Sequence, residues 1–197
     1  LAGLAAQADF VFHLAGINRP KDVSEFAAGN VDLTRKLLGA LARANRAVPV
    51  ALTSSIQAAL DNPYGASKRE AERLVREYAR QTGARAYIFR FPNVFGKWCR
   101  PNYNSVVATF CHNVARSLPI KVNDPETQLT LAYVDDVVRC LVDALTDEIM
   151  PDEQGFAQVA PVHAVTLGQI ASLLGRFRAL RGDRVLPDMS DPFVKKL

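Results

Sequence analysis

Cysteine, methionine and long apolar runs are scarce in this sequence of 197 residues, which has three cysteines and two methionines. Cys99, Cys111 and Cys140 lack the paired spacing of a zinc site or a disulfide framework, which favours a reducing, cytoplasmic location. No stretch approaches the roughly 18 consecutive apolar residues of a membrane-spanning helix. We therefore expect neither a secreted disulfide scaffold nor a membrane span.

A large excess of one charge is also lacking, since 24 lysines and arginines are set against 20 aspartates and glutamates. The basic residues are scattered along predicted helix surfaces, as at Arg69, Arg73 and Arg76, without interleaved aromatic residues. A nucleic-acid site needs clustered charge and stacking side chains, so we expect no nucleic-acid partner. His112 and His163 have no partnered carboxylate in the pattern, and no metal is expected.

Glycine-rich phosphate-binding motifs are missing as well, because no two of the 11 glycines are closer than seven residues apart. Such a loop cradles the pyrophosphate of a dinucleotide at the start of a helix. The only methionines are Met150 and Met189, so Leu1 is not a translation start. We expect the chain to be part of a longer polypeptide.

The sequence does contain an alternation of short apolar runs and helical patterns. The apolar runs at 10–14, 50–54 and 86–91 are typical of strands buried in a parallel sheet. Between them, helical spacing of apolar residues predicts helices at 23–45 and 66–81. This order, with short connections, predicts an α/β fold with a Rossmann-like, doubly wound parallel sheet.

The second half has a looser pattern. We assign residues 1–100 to a partial dinucleotide-binding domain and residues 101–197 mainly to a substrate-binding cap, with an element at about 129–145 returning to the Rossmann core. The elements predicted here are helices at 106–115 and 134–145, strands at 120–122 and 129–133, and a helix from an N-cap at Thr166 to Phe177.

Tyr64 and Lys68 are four residues apart at the start of a predicted helix, so both project from one face. An ammonium group stabilises phenolate over phenol, so this spacing predicts a lowered pKa of Tyr64 and a usable general acid or base. The bare spacing equally fits an amphipathic helix with a surface lysine. Ser54 and Ser55 end the preceding strand and either place a hydroxyl beside Tyr64 or support the turn.

Several motifs together resemble the extended short-chain dehydrogenase/reductase superfamily, that is, the NAD-dependent epimerase/dehydratase family. They are the Ala15-Gly16 end of the first strand, the Ser-rich second strand, Tyr64-x-x-x-Lys68, Arg-Phe-Pro-Asn-Val-Phe-Gly at 90–96 and Tyr-Val-Asp-Asp-Val at 133–137. The segments at 55–58, 61–65 and 95–105 are similar to bacterial capsular-polysaccharide nucleotide-sugar reductases, which carry a C-terminal cupin domain.

The resemblance implies a role for each matching residue. Tyr64 would donate a proton to the sugar oxygen, Lys68 would hold the nicotinamide ribose and lower the pKa of Tyr64, and Ser55, or Ser54 if the register differs, would hydrogen-bond the reacting oxygen. Asn30 matches a supportive family asparagine. The implied cofactor-binding residues are Leu14, Ala15, Gly16, Tyr64, Lys68, Phe91, Asn93 and Val94, and the implied substrate-binding residues are Asn93, Lys97, Arg100 and Asn102.

The resemblance also implies a function. It is an NAD(P)H-dependent reduction of a UDP-linked 4-keto-6-deoxy-N-acetylhexosamine for surface polysaccharide, by a homo-oligomer with a glycine-rich unit upstream of Leu1. NADP is favoured over NAD, although the discriminating residue lies in that upstream unit. The alternatives are a nucleotide-sugar epimerase or 4,6-dehydratase, and a non-catalytic dinucleotide sensor or scaffold, which would normally have lost Tyr64 or Lys68.

Overall fold

The computed structural model describes residues 1–197, apart from the side chain of residue 181. Chain contacts divide these residues into two compact units. The first comprises Leu1–Phe91 and Arg139–Gln158, and the second comprises Pro92–Val138 and Val159–Leu197. The functional division into a dinucleotide-binding part and a substrate-binding cap stays a prediction.

The sheet of the first unit is parallel, as the alternation of apolar runs and helical patterns predicts. Strands β1 (Val11–His13), β2 (Val50–Ser55) and β3 (Ala86–Phe91) lie in that order and start in register. Parallel neighbours need a crossover connection, and here each connection contains helix. The prediction of an α/β, Rossmann-like fold is confirmed.

Helical segments make up most of the rest of the first unit. The predicted helix at 23–45 is a continuous helical stretch whose middle is wound more loosely, as a π-type turn. The segments are α1 (Ala2–Gln7), α2 (Ser24–Phe26), the π-type turn (Ala27–Asp32), α3 (Leu33–Arg43), a 3₁₀ turn (Ile56–Ala59) and α4 (Pro63–Thr82).

Helix α4 starts three residues earlier than its apolar spacing predicts, because its beginning is defined by a cap. The Asn62 side chain accepts a hydrogen bond of 2.7 Å from the backbone N–H of Gly65, and Pro63 occupies the first turn. The inner face of the helix packs into a core with α3 and the sheet, where Leu41, Val50 and Val75 are fully buried. This packing fixes the helix that carries Tyr64 and Lys68.

The second unit has a mixed sheet. Strand β4 (Asn93–Phe95) runs parallel to β5 (Gln128–Tyr133), and β6 (Val162–Thr166) pairs with β5 in the antiparallel direction. The strand predicted at 120–122 is wrong, since these residues form no regular structure. Their apolar pattern has another cause, because Ile120 and Val122 pack against the core of this unit.

The helices of the second half follow the prediction closely. The helix at Val134–Leu145 contributes residues to both units. Helix α7 (Leu167–Asp183) starts at a capping box formed by Thr166 and Gln169 and extends beyond the predicted end at Phe177. No helix in the described part of the chain has the length and apolar content to cross a membrane. The helices are α5 (Val106–Ala115), α6 (Val134–Leu145), α7 (Leu167–Asp183) and α8 (Pro192–Lys196).

Candidate active site

Tyr64 and Lys68 share one face of the first turns of α4, as their spacing predicts. The Lys68 Nζ lies 5.8 Å from the centroid of the Tyr64 ring. Lys68 is only 7% exposed, and its ammonium donates a hydrogen bond of 3.0 Å to the carbonyl oxygen of Thr53 in β2. The helix therefore holds a buried cation between the sheet and the phenol ring.

The two serines at the end of β2 face different surroundings, because successive strand residues point to opposite sides. The buried Ser54 hydroxyl donates to Glu72 Oε1 at 2.5 Å. The half-buried Ser55 accepts from the backbone N–H of Gln57 at 3.2 Å, and its hydroxyl is close enough to Tyr64 to lower the pKa of that phenol. Of the two candidates, it is Ser55 that the structure brings to Tyr64. We name Ser55, Tyr64 and Lys68 the reactive cluster.

Burial dominates the electrostatics of the reactive cluster. It raises the pKa of Tyr64 above its usual value near 10, although the Ser55 hydrogen bond partly opposes the rise. Burial likewise lowers the pKa of Lys68, with the Glu72 carboxylate opposing it. The lowered pKa of Tyr64 predicted from the spacing is therefore wrong, because desolvation disfavours the phenolate. Tyr64 is held as a protonated phenol.

The segment after β1 brings exposed backbone close to Lys68. Leu14, Ala15 and Gly16 are exposed. A Cβ on Gly16 would lie 3.0 Å from Asn30 Oδ1 and 3.1 Å from Lys68 Nζ, so a side chain there would crowd the ammonium. An ammonium has three donors, and Thr53 takes one. These residues fit the ribose of a nicotinamide dinucleotide. Its hydroxyl groups can accept hydrogen bonds from the ammonium, and Gly16 has no side chain to keep them away.

Asn30 ties this segment to α4. Its amide oxygen accepts from the backbone N–H of Ile17 at 2.7 Å, and its amide nitrogen donates to Ile17 O at 3.0 Å and to Ser67 Oγ at 2.9 Å. The Ser67 hydroxyl in turn donates to the carbonyl oxygen of Tyr64 at 2.7 Å. The supportive role implied for Asn30 thus has a physical basis. Ser67 was missed, although it lies within the Tyr64-to-Lys68 motif.

The sequence-based prediction also missed a largely buried ion pair beneath the reactive cluster. Both carboxylate oxygens of Glu72 accept hydrogen bonds from the Arg90 guanidinium, at 2.9 and 2.7 Å, and Ser54 adds a third bond. Glu72 follows Lys68 by one helical turn, so the helical spacing carried the signal. The pair connects α4 to β3 behind the reactive cluster.

The remaining predicted site residues are divided between the units. Phe91, the last residue of β3 in the first unit, is buried and stacks with Phe89 at 5.3 Å between ring centroids. Asn93 and Val94 belong to β4 in the second unit and are exposed. The ring of Phe91 therefore packs in the core. Only its backbone remains for the cofactor contact that the resemblance implies.

Lys97, Arg100 and Asn102 belong to an exposed loop of the second unit, residues 97–104, which we name the basic loop. Lys97 forms an ion pair with Asp135 at 2.9 Å, which raises the pKa of Lys97. The Arg100 guanidinium lies 5.9 Å from the centroid of the Tyr103 ring. Asn102 has a positive φ of 55°, and its backbone N–H donates to Thr109 Oγ1 at 2.9 Å.

A cavity of about 490 Å³ lies in the second unit at the start of the basic loop. Gly96 lines it with a φ of 127°, and a Cβ there would lie 2.8 Å from the Tyr133 ring, so only glycine fits. The polar groups of the lining include two ammonium groups, two thiols, an imidazole and a phenol. They belong to Lys97, Lys196, Cys99, Cys111, His112 and Tyr133.

Known proteins resemble this chain along nearly its whole length. A UDP-2-acetamido-2,6-beta-L-arabino-hexul-4-ose reductase of Pseudomonas aeruginosa is 46% identical over 181 residues, which are 92% of this chain and 48% of that protein. The crystal structure of the capsular polysaccharide assembling protein CapF from Staphylococcus aureus matches with a TM-score of 0.88 and 45% identity, covering 99% of this chain and 52% of that chain. This chain thus spans about half the length of either relative.

More distant structures share the fold. A UDP-glucuronic acid 4-epimerase from Bacillus cereus, in complex with NAD, matches with a TM-score of 0.74 at 21% identity, covering 89% of this chain and 62% of that chain. The model of the NAD dependent epimerase/dehydratase family matches residues 2–154. That match covers well over half of the residues and includes the reactive cluster. The chain belongs to the NAD dependent epimerase/dehydratase family.

Proposed function

We propose that the full-length protein is a reductase that uses NADPH or NADH to reduce the keto group of a UDP-linked 4-keto-6-deoxy-N-acetylhexosamine. The observation that carries the proposal is the reactive cluster, in which a protonated phenol, a buried ammonium and a hydroxyl converge. The likeness to a UDP-sugar 4-keto reductase, at 46% identity, supports the substrate class.

Each member of the reactive cluster has a task in this reaction. A nicotinamide dinucleotide would supply the hydride when bound. Tyr64 donates its phenol proton to the sugar oxygen, and its raised pKa keeps that proton available near neutral pH. Ser55 hydrogen-bonds the same oxygen and stabilises the charge that develops there. Lys68 keeps the phenol in place and stabilises its conjugate base after the proton has left.

The cofactor is proposed to bind along the exposed segment Leu14 to Gly16 and beside Lys68, whose ammonium would hold ribose hydroxyls. The backbone of Phe91, Asn93 and Val94 is assigned to the nicotinamide side. NADP is the preferred cofactor of the proposal, from the resemblance to the capsular-polysaccharide reductases, and NAD is the alternative.

The basic loop and Asn93 are proposed to bind the nucleotide-sugar. A diphosphate needs cationic and amide donors, which Lys97, Arg100, Asn102 and Asn93 carry. The exposure of these residues, with ion-pair and ring partners at the surface, supports a role in binding rather than in the proton transfer.

The test is a turnover assay of the full-length protein with the UDP-linked keto-sugar. We expect NADPH absorbance to fall in proportion to the reduced sugar formed, and more slowly with NADH. The Tyr64→Phe variant should lower kcat by about 10²–10⁴-fold. Tyr78→Phe on the same helix is the matched control, since its hydroxyl donates to the carbonyl oxygen of Val48 and belongs to no part of the reactive cluster.

The outcomes also separate the alternatives. An epimerase or 4,6-dehydratase would convert a nucleotide-sugar without net consumption of cofactor. A non-catalytic sensor or scaffold would bind the dinucleotide and convert no sugar. A Tyr64→Phe variant that keeps the full rate would refute the mechanism.

A cytoplasmic location and a homo-oligomer belong to the same proposal. The three cysteines are all unpaired thiols, which supports a reducing compartment. The oligomer is proposed from the family resemblance and would be measured by analytical ultracentrifugation of the full-length protein.

A further inference from the structure

A short turn connects Ser55 to the helix that carries Tyr64. Ser55 is the last residue of β2, the 3₁₀ turn Ile56–Ala59 follows at once, and α4 begins at Pro63. Among the described residues, this segment pairs with no strand. It packs against both α4 and β3, and more extensively against α4.

The first of these contacts is a backbone approach at Gly65. A Cβ at this position would lie 2.2 Å from the carbonyl oxygen of Gln57 and 2.8 Å from that of Leu60. Both neighbours are backbone atoms, which cannot rotate away as a side chain can. The turn thus lies directly on the first turn of α4.

The second contact is made by Arg69, one helical turn after Gly65 on the same face. Its Nη1 donates hydrogen bonds of 2.7 Å to the carbonyl oxygen of Ala58 and 2.6 Å to that of Leu60. Bonds from an ionised donor are about twice as strong as neutral ones. One guanidinium nitrogen therefore bridges two carbonyl groups at the end of the 3₁₀ turn.

Gly65 follows Tyr64 by one residue, and Arg69 follows Lys68 in the same way. The two pairs therefore lie on neighbouring faces of α4. At its other end, the turn is connected to Ser55, whose hydroxyl accepts from Gln57 N–H. We propose that Arg69 is a positioning residue that holds Ser55 against Tyr64 by fixing the 3₁₀ turn. The proposal rests on the proposed function of the reactive cluster.

Arg73 on the same helix provides the contrast. It donates two bonds of 2.8 Å to the carboxylate of Glu70, and its side chain is 61% exposed. Arg73 contacts no part of the turn among the described hydrogen bonds. Its substitution therefore removes an arginine from α4 without releasing the turn.

A double-mutant cycle in the full-length protein tests the proposal. Arg69→Met should lower kcat by about tenfold with KM for the keto-sugar within about twofold, because the basic loop is unchanged. In a Ser55→Ala background, the same substitution should cost less than about twofold, because Ser55 is the group through which Arg69 acts. Arg69→Lys should restore part of the loss, and Arg73→Met should leave kcat unchanged.

Two results would overturn the proposal. One is an equal loss in both backgrounds, which would mean that Arg69 acts on general stability. The other is an unchanged kcat in Arg69→Met. If wild type and Arg73→Met both fail to turn over the keto-sugar, the proposed function fails instead. Hydrogen exchange then decides on Arg69, since Arg69→Met should speed exchange of the amides at 56–60, and equal rates would refute the contact.

Discussion

Lys68 and Lys97 are both lysines proposed to contact a ligand, yet they are held in different ways. The ammonium of Lys68 is buried between β2 and the Tyr64 ring, and the residue is 7% exposed. The side chain of Lys97 is 46% exposed and forms an ion pair with Asp135 at the surface of the second unit. Lys68 therefore has a fixed geometry, whereas the charge of Lys97 is screened by solvent.

The same difference extends to the surroundings of each lysine. The reactive cluster is supported by the Asn30 network and by the Glu72–Arg90 pair, so contacts within the protein fix its geometry. The basic loop is shaped by backbone conformation, with positive φ at Trp98 and Asn102. We infer that the reactive cluster governs turnover and that the basic loop governs binding of the nucleotide-sugar.

The largest expected effect separates the two lysines. Lys68→Met should lower kcat/KM by about 10²–10³-fold, since both proton transfer and cofactor binding lose their cation. Lys97→Met should raise KM for the nucleotide-sugar by about five- to tenfold and leave kcat within about twofold, because its charge is screened by solvent. Steady-state kinetics measures both. Lys121→Met is the control for an exposed lysine, and a kcat defect in Lys97→Met would break the comparison.

A second comparison concerns two ion pairs on α4, each with two hydrogen bonds between its groups. Glu72→Gln should lower the free energy of unfolding by about 3 kcal/mol, because it leaves Arg90 without its charge partner in a largely buried site. Glu70→Gln removes the exposed pair with Arg73 and should cost less than about 1 kcal/mol. Urea denaturation measures both, and equal losses would show that burial does not distinguish the pairs.

The next prediction tests the backbone that leads into the basic loop. Gly96→Ala should destabilise the protein by about 2 kcal/mol, because φ is 127° and the new methyl group would lie 2.8 Å from the Tyr133 ring. Gly175→Ala, in helix α7 of the same unit, meets nothing within 4 Å and should stabilise by about 0.5–1 kcal/mol. Urea midpoints of the two variants should move in opposite directions, and a shared direction would contradict the geometry.

The smallest effect is a shift in the pH profile of kcat/KM, which reports the free enzyme. Because the pKa of Tyr64 is raised, the phenol stays protonated near neutral pH and the rate falls only as pH rises past that value. The interaction with Ser55 lowers the pKa of Tyr64. Ser55→Ala should therefore move the alkaline limb of the profile to higher pH. If the rate is instead lost above about pH 7, the charge of Lys68 has a larger effect on the pKa of Tyr64 than burial does.

Much of the fold follows from local patterns in the sequence. The strand at 86–91 and the helices at 106–115 and 134–145 have the predicted bounds, because apolar spacing reports directly which face is buried. Strand β6 was missed, since its residues are mostly half-buried or exposed and show no apolar run. The strand predicted at 120–122 is absent because a loop that packs against the core has the same apolar pattern.

The site divides along similar lines. The shared face of Tyr64 and Lys68 was predictable, since helical geometry alone sets it. The raised pKa of Tyr64 was not, because it depends on how much protein surrounds the phenol. The contacts of Arg69 were equally hidden, since in the sequence this residue resembles the exposed Arg73.

By itself, the sequence determined the order of strands and helices, the family motifs and the residue types that carry proton chemistry, because each depends on residues close together in the chain. Only the tertiary structure decided between Ser54 and Ser55, and between burial and charge at Tyr64. A shift of one residue in register turns a strand side chain to the other face. Such choices depend on which helix packs over the strand end, and that packing joins residues distant in sequence.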